Sequence, residues 1–429
     1  MNRDKNMSFS KLGLSQPIQE TIARLGYDTP TPVQMQAIPL ILEGRDVMAG
    51  AQTGTGKTGA FALPIIEQLS QKTRAENSVR ALVLTPTREL AQQVSKSFIV
   101  YAEDTNISVE LAYGGVSLNP QIKALKHGCD VLVATPGRLL DLLFKGTFDL
   151  DALEYLVFDE ADRMLDMGFI IDIKRILKRV PDSRQTMLFS ATFDDAIIEL
   201  SNKFLNKPEL IEVAQRNTTA AKIEQIIYNV DEDKKRELTS FMIGSKNWQQ
   251  VLIFVRTRQG ADALAKEMCK DGVKAQSIHG DKSQGARDKA LEEFKSGKTR
   301  ALVATDVAAR GLDIQELNYV INYELPYIAE DYIHRIGRTG RAGNDGLAVS
   351  LMSVDEEWLL EEIEAIVDEK LPQAWYPGYE PDLTKKSSIK KNSKSSQKRR
   401  ANERAGGKRQ SGSNKRRGSN NNSGGRNRR

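Results

Sequence analysis

Cysteine and histidine are scarce in this chain of 429 residues, which contains two of the former and three of the latter. Two cysteines cannot build a disulfide framework, and three scattered histidines cannot form a metal cage. The chain also lacks any run of 18 apolar residues, and its first ten residues, MNRDKNMSFS, contain no apolar signal segment. These absences disfavour a disulfide-built secreted domain, a zinc enzyme and a membrane protein, so we expect a cytoplasmic protein.

Acidic residues are almost absent from the C-terminal segment, residues 385–429, which holds 17 Lys and Arg and the single acidic residue Glu403. The rest of the chain holds 45 basic and 56 acidic residues. Because the segment also has no aromatic residue, it cannot bury enough apolar surface to offset its ordering entropy, and we predict disorder. A flexible polycation attracts phosphates by counterion release, which favours a nucleic-acid tether over a merely solubilising tail.

Short apolar runs alternate with amphipathic stretches between about residues 35 and 350. The predicted strands cover residues 46–49, 81–84, 131–133, 155–158 and 187–189, and then 251–255, 301–303, 319–321 and 348–351. This alternation indicates an α/β fold of parallel sheets covered by helices. A polar stretch at residues 213–222 divides the body into two halves of similar size.

The two halves also contain one similar segment each. Residues 80–86, RALVLTP, and residues 300–306, RALVATD, share an apolar pattern that ends in a polar turn. The similarity favours two related domains that face one another. Because ligands of such sheets bind beyond the carboxyl ends of the strands, we expect the site in the shared cleft.

A glycine-rich stretch, AQTGTGKT at residues 51–58, follows the first predicted strand and precedes a helical run. Glycines let backbone N–H groups turn toward phosphates at a helix N-terminus, so the stretch predicts a phosphate-binding loop. Lys57 would reach the β- and γ-phosphates, and the Thr58 hydroxyl would ligate Mg²⁺. The remaining predicted nucleotide contacts of the loop are Gln52, Thr53, Gly54, Thr55 and Gly56. A second GKT at residues 297–299 precedes a strand rather than following one, so we interpret it as an ordinary turn.

Carboxylates follow another apolar strand, in the sequence Asp159-Glu160-Ala161-Asp162. In a chain with a phosphate loop, Asp159 is the predicted second Mg²⁺ contact, and Glu160 would orient or deprotonate the attacking water. A solvated acidic turn is the alternative for this sequence.

Arginine is concentrated in the second half at residues 334–341, HRIGRTGR. The pattern is consistent with a surface ion-pair patch. As partners of a phosphate loop on the opposite half, however, Arg338 and Arg341 are better explained as catalytic arginines, because a planar guanidinium suits the charge that develops on phosphoryl oxygens. Catalysis would then require the two halves to close.

With these blocks, residues 9–352 resemble a DEAD-box ATP-dependent RNA helicase of superfamily 2, with two tandem RecA-like domains and ATP and Mg²⁺ as cofactors. The resemblance implies that Gln34 reads the adenine edge and that Phe9 and Tyr27 lie beside the adenine. Tyr27 stands where Phe is more usual in the family. Asp313 would bind the ribose. The domain boundaries that it suggests are 1–35 for the N-terminal segment with the Q motif, 36–212 for the first domain, 213–222 for the linker, 223–375 for the second domain and 376–429 for the disordered basic tail.

Ser190 and Thr192 resemble the block that links hydrolysis to strand separation in this family. Their hydroxyls could hydrogen-bond to Asp162 and His334 across the cleft, whereas without the resemblance a simple helix cap would be the preferred explanation. The resemblance assigns RNA contacts to Pro86, Thr87, Arg88, Gly114, Gly115, Thr135, Pro136, Gly137, Arg138, Arg256, Gly280, Gln284, Arg287, Thr305 and Asp306. These groups grip phosphates and 2′-hydroxyls without reading bases, so sequence-independent RNA binding is expected.

The residues DRMLDMGF at 162–169 and the insert-free core are similar to the RhlE-like bacterial branch of the family. The expected activity is RNA-stimulated ATP hydrolysis coupled to local, non-processive unwinding of short RNA duplexes or to remodelling of RNA–protein complexes. An RNA chaperone in which the tail dominates and a DNA-acting translocase are the two alternatives. The sequence identifies neither the physiological RNA nor protein partners.

Overall fold

The chain forms two α/β halves whose predicted linker is not among the residues that can be described. The computed structural model describes residues 8–51, 55–74, 78–193, 195–212, 223–309, 312, 314, 317–340, 346–385 and 387. The predicted site residues Gln52, Thr53, Gly54, Asp313 and Arg341 lie outside these ranges, as do residues 213–222 and, in the basic tail, residues 386 and 388–429. No described helix has the length and apolar character needed to cross a membrane.

The first half contains a parallel sheet of seven strands in the order β3-β4-β2-β5-β6-β1-β7. Its strands are Val47–Gly50 (β1), Val79–Leu84 (β2), Val109–Ala112 (β3), Cys129–Ala134 (β4), Tyr155–Asp159 (β5), Gln185–Ser190 (β6) and Glu209–Glu212 (β7). In the register, Ala49 lies opposite Phe189 of β6 and Ile211 of β7. Strands β2 and β4 are buried along their whole length, which explains their continuous apolar sequences.

Helices cover both faces of this first sheet. They are Gln16–Arg24 (α1), Pro32–Leu42 (α2), Lys57–Ser70 (α3), Arg88–Tyr101 (α4), Leu118–Leu125 (α5), Pro136–Phe144 (α6), Ala161–Asp166 (α7), Ile170–Leu177 (α8) and Asp195–Phe204 (α9). Alternate residues of one strand enter different cores: Val83 packs with Phe61 and Phe98, whereas Leu82 packs with Leu139 on the other face.

The second half repeats the arrangement with the strand order β10-β11-β9-β12-β13-β8-β14, again parallel. Its strands are Ile223–Asn229 (β8), Val251–Val255 (β9), Ala275–Ile278 (β10), Ala301–Thr305 (β11), Tyr319–Asn322 (β12), Gly346–Met352 (β13) and Gln373–Ala374 (β14). Its helices are Lys235–Ser245 (α10), Arg258–Lys270 (α11), Gln284–Lys295 (α12), Asp306–Ala309 (α13), Ala329–Ile336 (α14) and Glu357–Val367 (α15).

The two strand orders are identical when the strands of each half are numbered from its start, so the expectation of two similar α/β domains is confirmed. The similar segments at residues 80–86 and 300–306 are, however, not equivalent. The first belongs to β2, whose topological counterpart is β9, whereas the second belongs to β11, the counterpart of β4. Both segments are buried central strands, so their resemblance reflects a common environment rather than a common position.

Ion pairs connect the two halves at the carboxyl ends of their strands. Arg163 Nη1 of α7 lies 2.9 Å from Asp331 Oδ1 of α14, and Arg287 Nη2 of α12 lies 2.5 Å from Glu89 Oε1 of α4. All four side chains are buried. The halves are therefore in contact, and their carboxyl edges face a common cleft.

Candidate active site between the two halves

A cavity of about 530 Å³ lies in the cleft between the halves. From the first half, the predicted site residues Phe9, Tyr27, Gln34, Gly56, Lys57, Thr58, Asp159 and Glu160 line it. The second half contributes Leu312, Ile314 and Arg338 to the same wall. The structure thus brings together residues that the sequence separates by up to about 330 positions.

The phosphate loop ends where α3 begins, directly after β1. Gly56 is the residue before the helix and has a φ of +88°, and a Cβ there would lie 2.7 Å from Gln34 Nε2. Both facts require glycine at this position. Lys57 is buried, and its Nζ has no hydrogen-bond partner among the residues that the structure describes. A buried ammonium group that lacks a hydrogen-bond partner within the described part of the chain, beside a helix N-terminus, is suited to an anion.

Gln34 connects the N-terminal segment to this loop. Its side-chain Oε1 accepts a hydrogen bond from the backbone N–H of Thr31 (2.9 Å), and its Nε2 donates to the Gly56 carbonyl (3.0 Å). The amide retains a second N–H and a second lone pair, so these bonds leave capacity for a ligand. Phe9 is buried and Tyr27 is half exposed at the same side of the cavity.

Two carboxylates extend from the end of β5 into the cavity. Burial raises the pKa of Asp159 to about 7, although the positive charge of Lys57 opposes the shift. Asp159 Oδ1 has no hydrogen-bond partner within the described part of the chain. A divalent cation would supply the missing partner and lower this pKa. Glu160 follows with a φ of +54°, an uncommon backbone conformation for a side chain other than glycine.

The predicted coupling residues surround the same edge, but one predicted contact is not made. Asp162 lies in the first turn of α7, two residues after Glu160, and Ser190 ends β6. Asp162 Oδ1 and Ser190 Oγ are buried and have no hydrogen-bond partner among the described residues, so the predicted bond between them is not formed in this structure. Ser190 also does not cap the next helix, since α9 begins only at Asp195. Thr192 and His334 are partly buried.

The arginines of the second half have different environments. Arg335 is buried within its own half, where Nε and Nη2 bond to the Asp306 carboxylate (2.5 and 2.8 Å) and Nη1 donates to the Glu324 carbonyl (2.6 Å). Arg338 instead lines the cavity and donates through Nη1 to the Leu312 carbonyl (3.2 Å). The structure therefore separates an arginine that organises the fold from one that faces the nucleotide loop.

Beside the cavity, three arginines form a second group, here called the arginine cluster: Arg88, Arg138 and Arg287. Burial lowers the pKa of Arg88, and the positive charges of Arg287 and Arg138 nearby lower it further. Arg138 Nε and Nη1 and Arg287 Nε have no hydrogen-bond partner among the described residues. Clustered, incompletely paired guanidinium groups are suited to phosphates.

The other predicted RNA contacts of the first half follow three adjacent strands. Pro86 and Thr87 follow β2, Gly114 and Gly115 follow β3, and Thr135 to Gly137 follow β4. Gly115 has a φ of +80°, which favours glycine, and a Cβ there would displace the Arg88 guanidinium from its position in the arginine cluster. From the second half, Gly280 follows β10, Thr305 ends β11, and Gln284 Oε1 lies 3.5 Å from Arg88 Nη1.

Two predicted RNA contacts are already engaged within the second half. Arg256 donates to the Leu325 carbonyl (2.8 Å) and the Tyr327 hydroxyl (3.1 Å) and forms an ion pair with Glu356. Asp306 binds Arg335, as described above. Sequence reasoning also missed Glu89, Arg163 and Asp331, which join the halves. Glu89 and Arg163 each follow a motif residue, but no signal in the sequence indicates their partners.

Comparison with known proteins identifies both halves. A DEAD/DEAH box helicase family matches residues 31–200, and a helicase conserved C-terminal domain matches residues 233–343. The chain is 43% identical to ATP-dependent RNA helicase CshA of Listeria monocytogenes over 372 residues, or 87% of this chain and 71% of that protein. It is 40% identical to ATP-dependent RNA helicase RhlB of Pseudomonas syringae over 85% of this chain and 93% of the relative.

Solved structures of similar proteins support the same identification. S. cerevisiae Dbp5 bound to RNA and ADP BeF3 superposes with a TM-score of 0.77 at 31% identity, covering 86% of this chain and 96% of Dbp5. Mss116p bound to ssRNA and AMP-PNP gives a TM-score of 0.78 at 29% identity, covering 94% and 83%. The relatives named above do not specify the RhlE-like branch, which stays a prediction. The chain belongs to the DEAD-box family of ATP-dependent RNA helicases.

Proposed function

We propose that ATP binds in the cavity between the halves and RNA binds beside it, and that each ligand prefers the closed arrangement. The observation that carries this proposal is the position of Arg338: it belongs to the second half and lines the same cavity as Lys57, Asp159 and Glu160 of the first. A ligand that touches both halves stabilises their contact, so the affinities for ATP and RNA are coupled reciprocally.

Lys57 and the backbone of the phosphate loop hold the β- and γ-phosphates of ATP, while Arg338 and Arg341 stabilise the charge that develops on the γ-phosphoryl oxygens. Glu160 orients and deprotonates the attacking water. Thr58 and Asp159 fit a Mg²⁺ site, partly through water, because the buried Asp159 Oδ1 has no other partner among the described residues. When bound, Mg²⁺ neutralises phosphate charge.

The adenine is bound by Gln34, with Phe9 and Tyr27 as apolar walls, and Asp313 binds the ribose. The hydrogen bonds of Gln34 to Thr31 and Gly56 support this role, since adenine binding at Gln34 then fixes the phosphate loop as well. Specificity for ATP follows from one amide with both a donor and an acceptor to spare.

RNA lies along the arginine cluster and the strand ends beside it. The groups available there are guanidinium groups, hydroxyls and glycine backbone, which contact phosphates and 2′-hydroxyls rather than base edges, so binding is independent of sequence. Closure around one strand displaces its complement locally, and unwinding is non-processive. Asp162, Ser190, Thr192 and His334 transmit hydrolysis to the RNA face. The carboxylate of Asp162 and the hydroxyl of Ser190 support this role, because Oδ1 and Oγ have no hydrogen-bond partner among the described residues and can gain one when the γ-phosphate leaves.

Hydrolysis removes the phosphoryl group between Lys57 and the arginines of the second half. The halves then separate and RNA dissociates. Several features stay predictions: the domain boundaries at 35, 212, 222 and 375, the cytoplasmic location, and the contribution of the basic tail to RNA affinity. Residues 388–429 lie outside the described part of the chain.

Replacement of the proposed general base tests the mechanism. Glu160→Gln keeps the shape of the side chain but removes its basicity, so we expect kcat to fall by about 10²- to 10⁴-fold. ATP-dependent RNA binding, measured by fluorescence anisotropy with a labelled single strand, is expected to persist. Glu43→Gln, an exposed carboxylate next to the end of α2, is the matched control and should retain full turnover. Normal turnover in Glu160→Gln would refute the assigned role.

A further inference from the structure

A hydrogen bond and ion pairs connect the end of β10 and the turn that follows it, residues 279–282, to the first two turns of α11. Asp262 of α11 accepts a hydrogen bond from Ser277 Oγ at Oδ1 (2.5 Å), and Lys282 Nζ lies 3.3 Å from the same oxygen. His279 Nε2 lies 3.0 Å from Asp262 Oδ2. Arg258, one helical turn before Asp262, forms an ion pair with Asp281. Two residues of one helix face therefore contact the strand end and the turn.

The local structure fixes α11 in the position from which it can do this. The helix begins immediately beyond the carboxyl end of β9, where Thr257 Oγ1 accepts a hydrogen bond from the Gly260 N–H (3.0 Å). The turn itself is closed by the Lys282 N–H, which donates to the His279 carbonyl (3.2 Å). Both elements therefore meet at the edge of the sheet that faces the first half.

The turn at residues 279–282 leads directly into α12. Ser283 caps this helix by accepting a hydrogen bond from the Ala286 N–H at Oγ (3.3 Å), and the first turn of α12 carries Gln284 and Arg287. Gln284 approaches Arg88 of the first half, and Arg287 pairs with Glu89. Any displacement of residues 279–282 therefore moves Gly280 and the start of α12 together, at the face proposed to hold RNA.

Asp262 is a half-exposed carboxylate held as an anion. Desolvation raises its pKa, but the bonds from Ser277, His279 and Lys282 outweigh that effect and hold the pKa at about 2. Its negative charge is thus present at all physiological pH values. A carboxylate close to a phosphate track would be expected to weaken RNA binding by Coulomb repulsion unless it serves another purpose.

We infer that Asp262 is a positioning residue for RNA: by holding Ser277 and Lys282, it fixes the 279–282 turn so that the Gly280 backbone and the first turn of α12 face the strand. The inference rests on the proposed function, because Gly280, Gln284 and Arg287 are RNA contacts only there. It adds a residue that touches neither ATP nor RNA and that none of the motifs includes.

The sign of the effect distinguishes positioning from simple electrostatics. Removing the charge of Asp262 frees Lys282 and lowers the negative potential, which by electrostatics alone strengthens RNA binding and steepens its salt dependence. Loss of positioning has the opposite effect, since the turn gains conformational freedom that RNA must remove on binding. The two explanations predict changes of opposite direction in one measurement.

The test uses the full chain and RNA-stimulated ATP hydrolysis with a single-stranded RNA. For Asp262→Asn we expect the KM for RNA to rise about tenfold, the equivalent of one charged hydrogen bond, with kcat at saturating RNA within about twofold of the parent. Asp271→Asn is the matched control. Asp271 adjoins the other end of α11, with comparable partners in Ser240 (2.7 Å) and Arg236 (2.5 Å). Its replacement should leave the KM for RNA unchanged.

Ser277→Ala provides a second variant that alters no charge. It removes one hydrogen bond to Asp262, and we expect the KM for RNA to rise about threefold. Thermal unfolding of Asp262→Asn and Asp271→Asn shows whether Asp262→Asn is stable enough to assay. If it is not, the KM for RNA of Ser277→Ala tests the inference by itself. An unchanged or lowered KM for RNA in the folded variants overturns the inference. A parent chain whose hydrolysis ignores RNA would instead overturn the proposed function, so the two failures are distinguishable.

Discussion

Two buried lysines occupy equivalent places in the two halves and differ in their partners. Lys57 is the first residue of α3, the helix after β1, and Lys235 is the first residue of α10, the helix after β8. Strands β1 and β8 hold the same position in their sheets. Lys57 Nζ has no hydrogen-bond partner among the described residues, whereas Lys235 Nζ forms ion pairs with Glu356 and Glu232 (3.0 Å to Glu232).

The difference shows how one scaffold provides a ligand site in one half and a structural core in the other. In the first half, a glycine loop precedes the lysine, and the Lys57 ammonium group has no hydrogen-bond partner among the described residues, a partner that an anion can supply. In the second, an acidic turn and the buried Glu356 supply the negative charge. Burial lowers the pKa of Lys235 to about 8, against the opposing effect of Glu232. The two lysines share a position in the fold, and the charges around each determine whether it can bind a ligand or stabilises the core.

Replacement of Lys57 gives the largest expected effect and sharpens the comparison. In Lys57→Met the cation that binds the β- and γ-phosphates is lost, so we expect kcat/KM for ATP to fall about a thousandfold, comparable to the loss of one preorganised transition-state donor. The free energy of unfolding should change little, because the buried ammonium group that is removed has no hydrogen-bond partner among the described residues, whereas Asp159 loses a nearby positive charge. Steady-state ATPase assays and urea denaturation measure the two quantities. Substantial ATPase activity would contradict the role of Lys57.

The strands that the sequence predicted are the central ones. Runs such as RALVL in β2 and VLIFV in β9 are buried on both faces, so their composition is continuously apolar and easily identified. The predictions missed β3, β7, β10 and β14, which are the four edge strands, and β8, which lies next to an edge. These strands are partly exposed and contain Glu, Gln or Asn, so their sequences resemble loops.

The sequence was sufficient to predict the phosphate-binding loop of the candidate site. It did not predict the ion pairs that form between distant residues when the chain folds. The phosphate loop could be predicted because its glycines and its strand–loop–helix setting are local, and the same setting excluded the GKT at 297–299. Arg338 was predicted to face the phosphate loop, and it lines the cavity, but the partners of the neighbouring arginines could not be predicted. Arg335 and Arg338 lie three residues apart, and only the tertiary contacts of Arg335 with Asp306 and of Arg256 with Glu356 show that these two guanidinium groups are already paired.

Replacement of Lys235 tests the other side of the comparison and should have a smaller effect. Lys235→Met leaves the buried Glu356 with Arg256 as its remaining cationic partner, so we expect the free energy of unfolding to fall by about 2 kcal/mol. The ATPase activity of the folded fraction should be unchanged, the reverse of the result for Lys57→Met. Chemical denaturation followed by circular dichroism measures the loss. A variant of normal stability with impaired ATPase activity would show that the two lysines are functionally equivalent.

The buried ion pair between the halves, Arg163–Asp331, should act on closure rather than on folding, in contrast to Lys235–Glu356 within one half. When the halves separate, Arg163 and Asp331 regain water, so removing one partner penalises only the closed arrangement, in which the other is buried. For Arg163→Gln or Asp331→Asn we expect RNA affinity in the presence of a non-hydrolysable ATP analogue to fall about tenfold, or roughly 1.4 kcal/mol.

The double variant should bind RNA little more weakly than either single variant, because the two side chains act as a pair. Fluorescence anisotropy over the four chains of this cycle measures the coupling, with the free energy of unfolding from urea denaturation as the control that should not change. Additive losses in the double variant would mean that the pair does not contribute to closure as a unit.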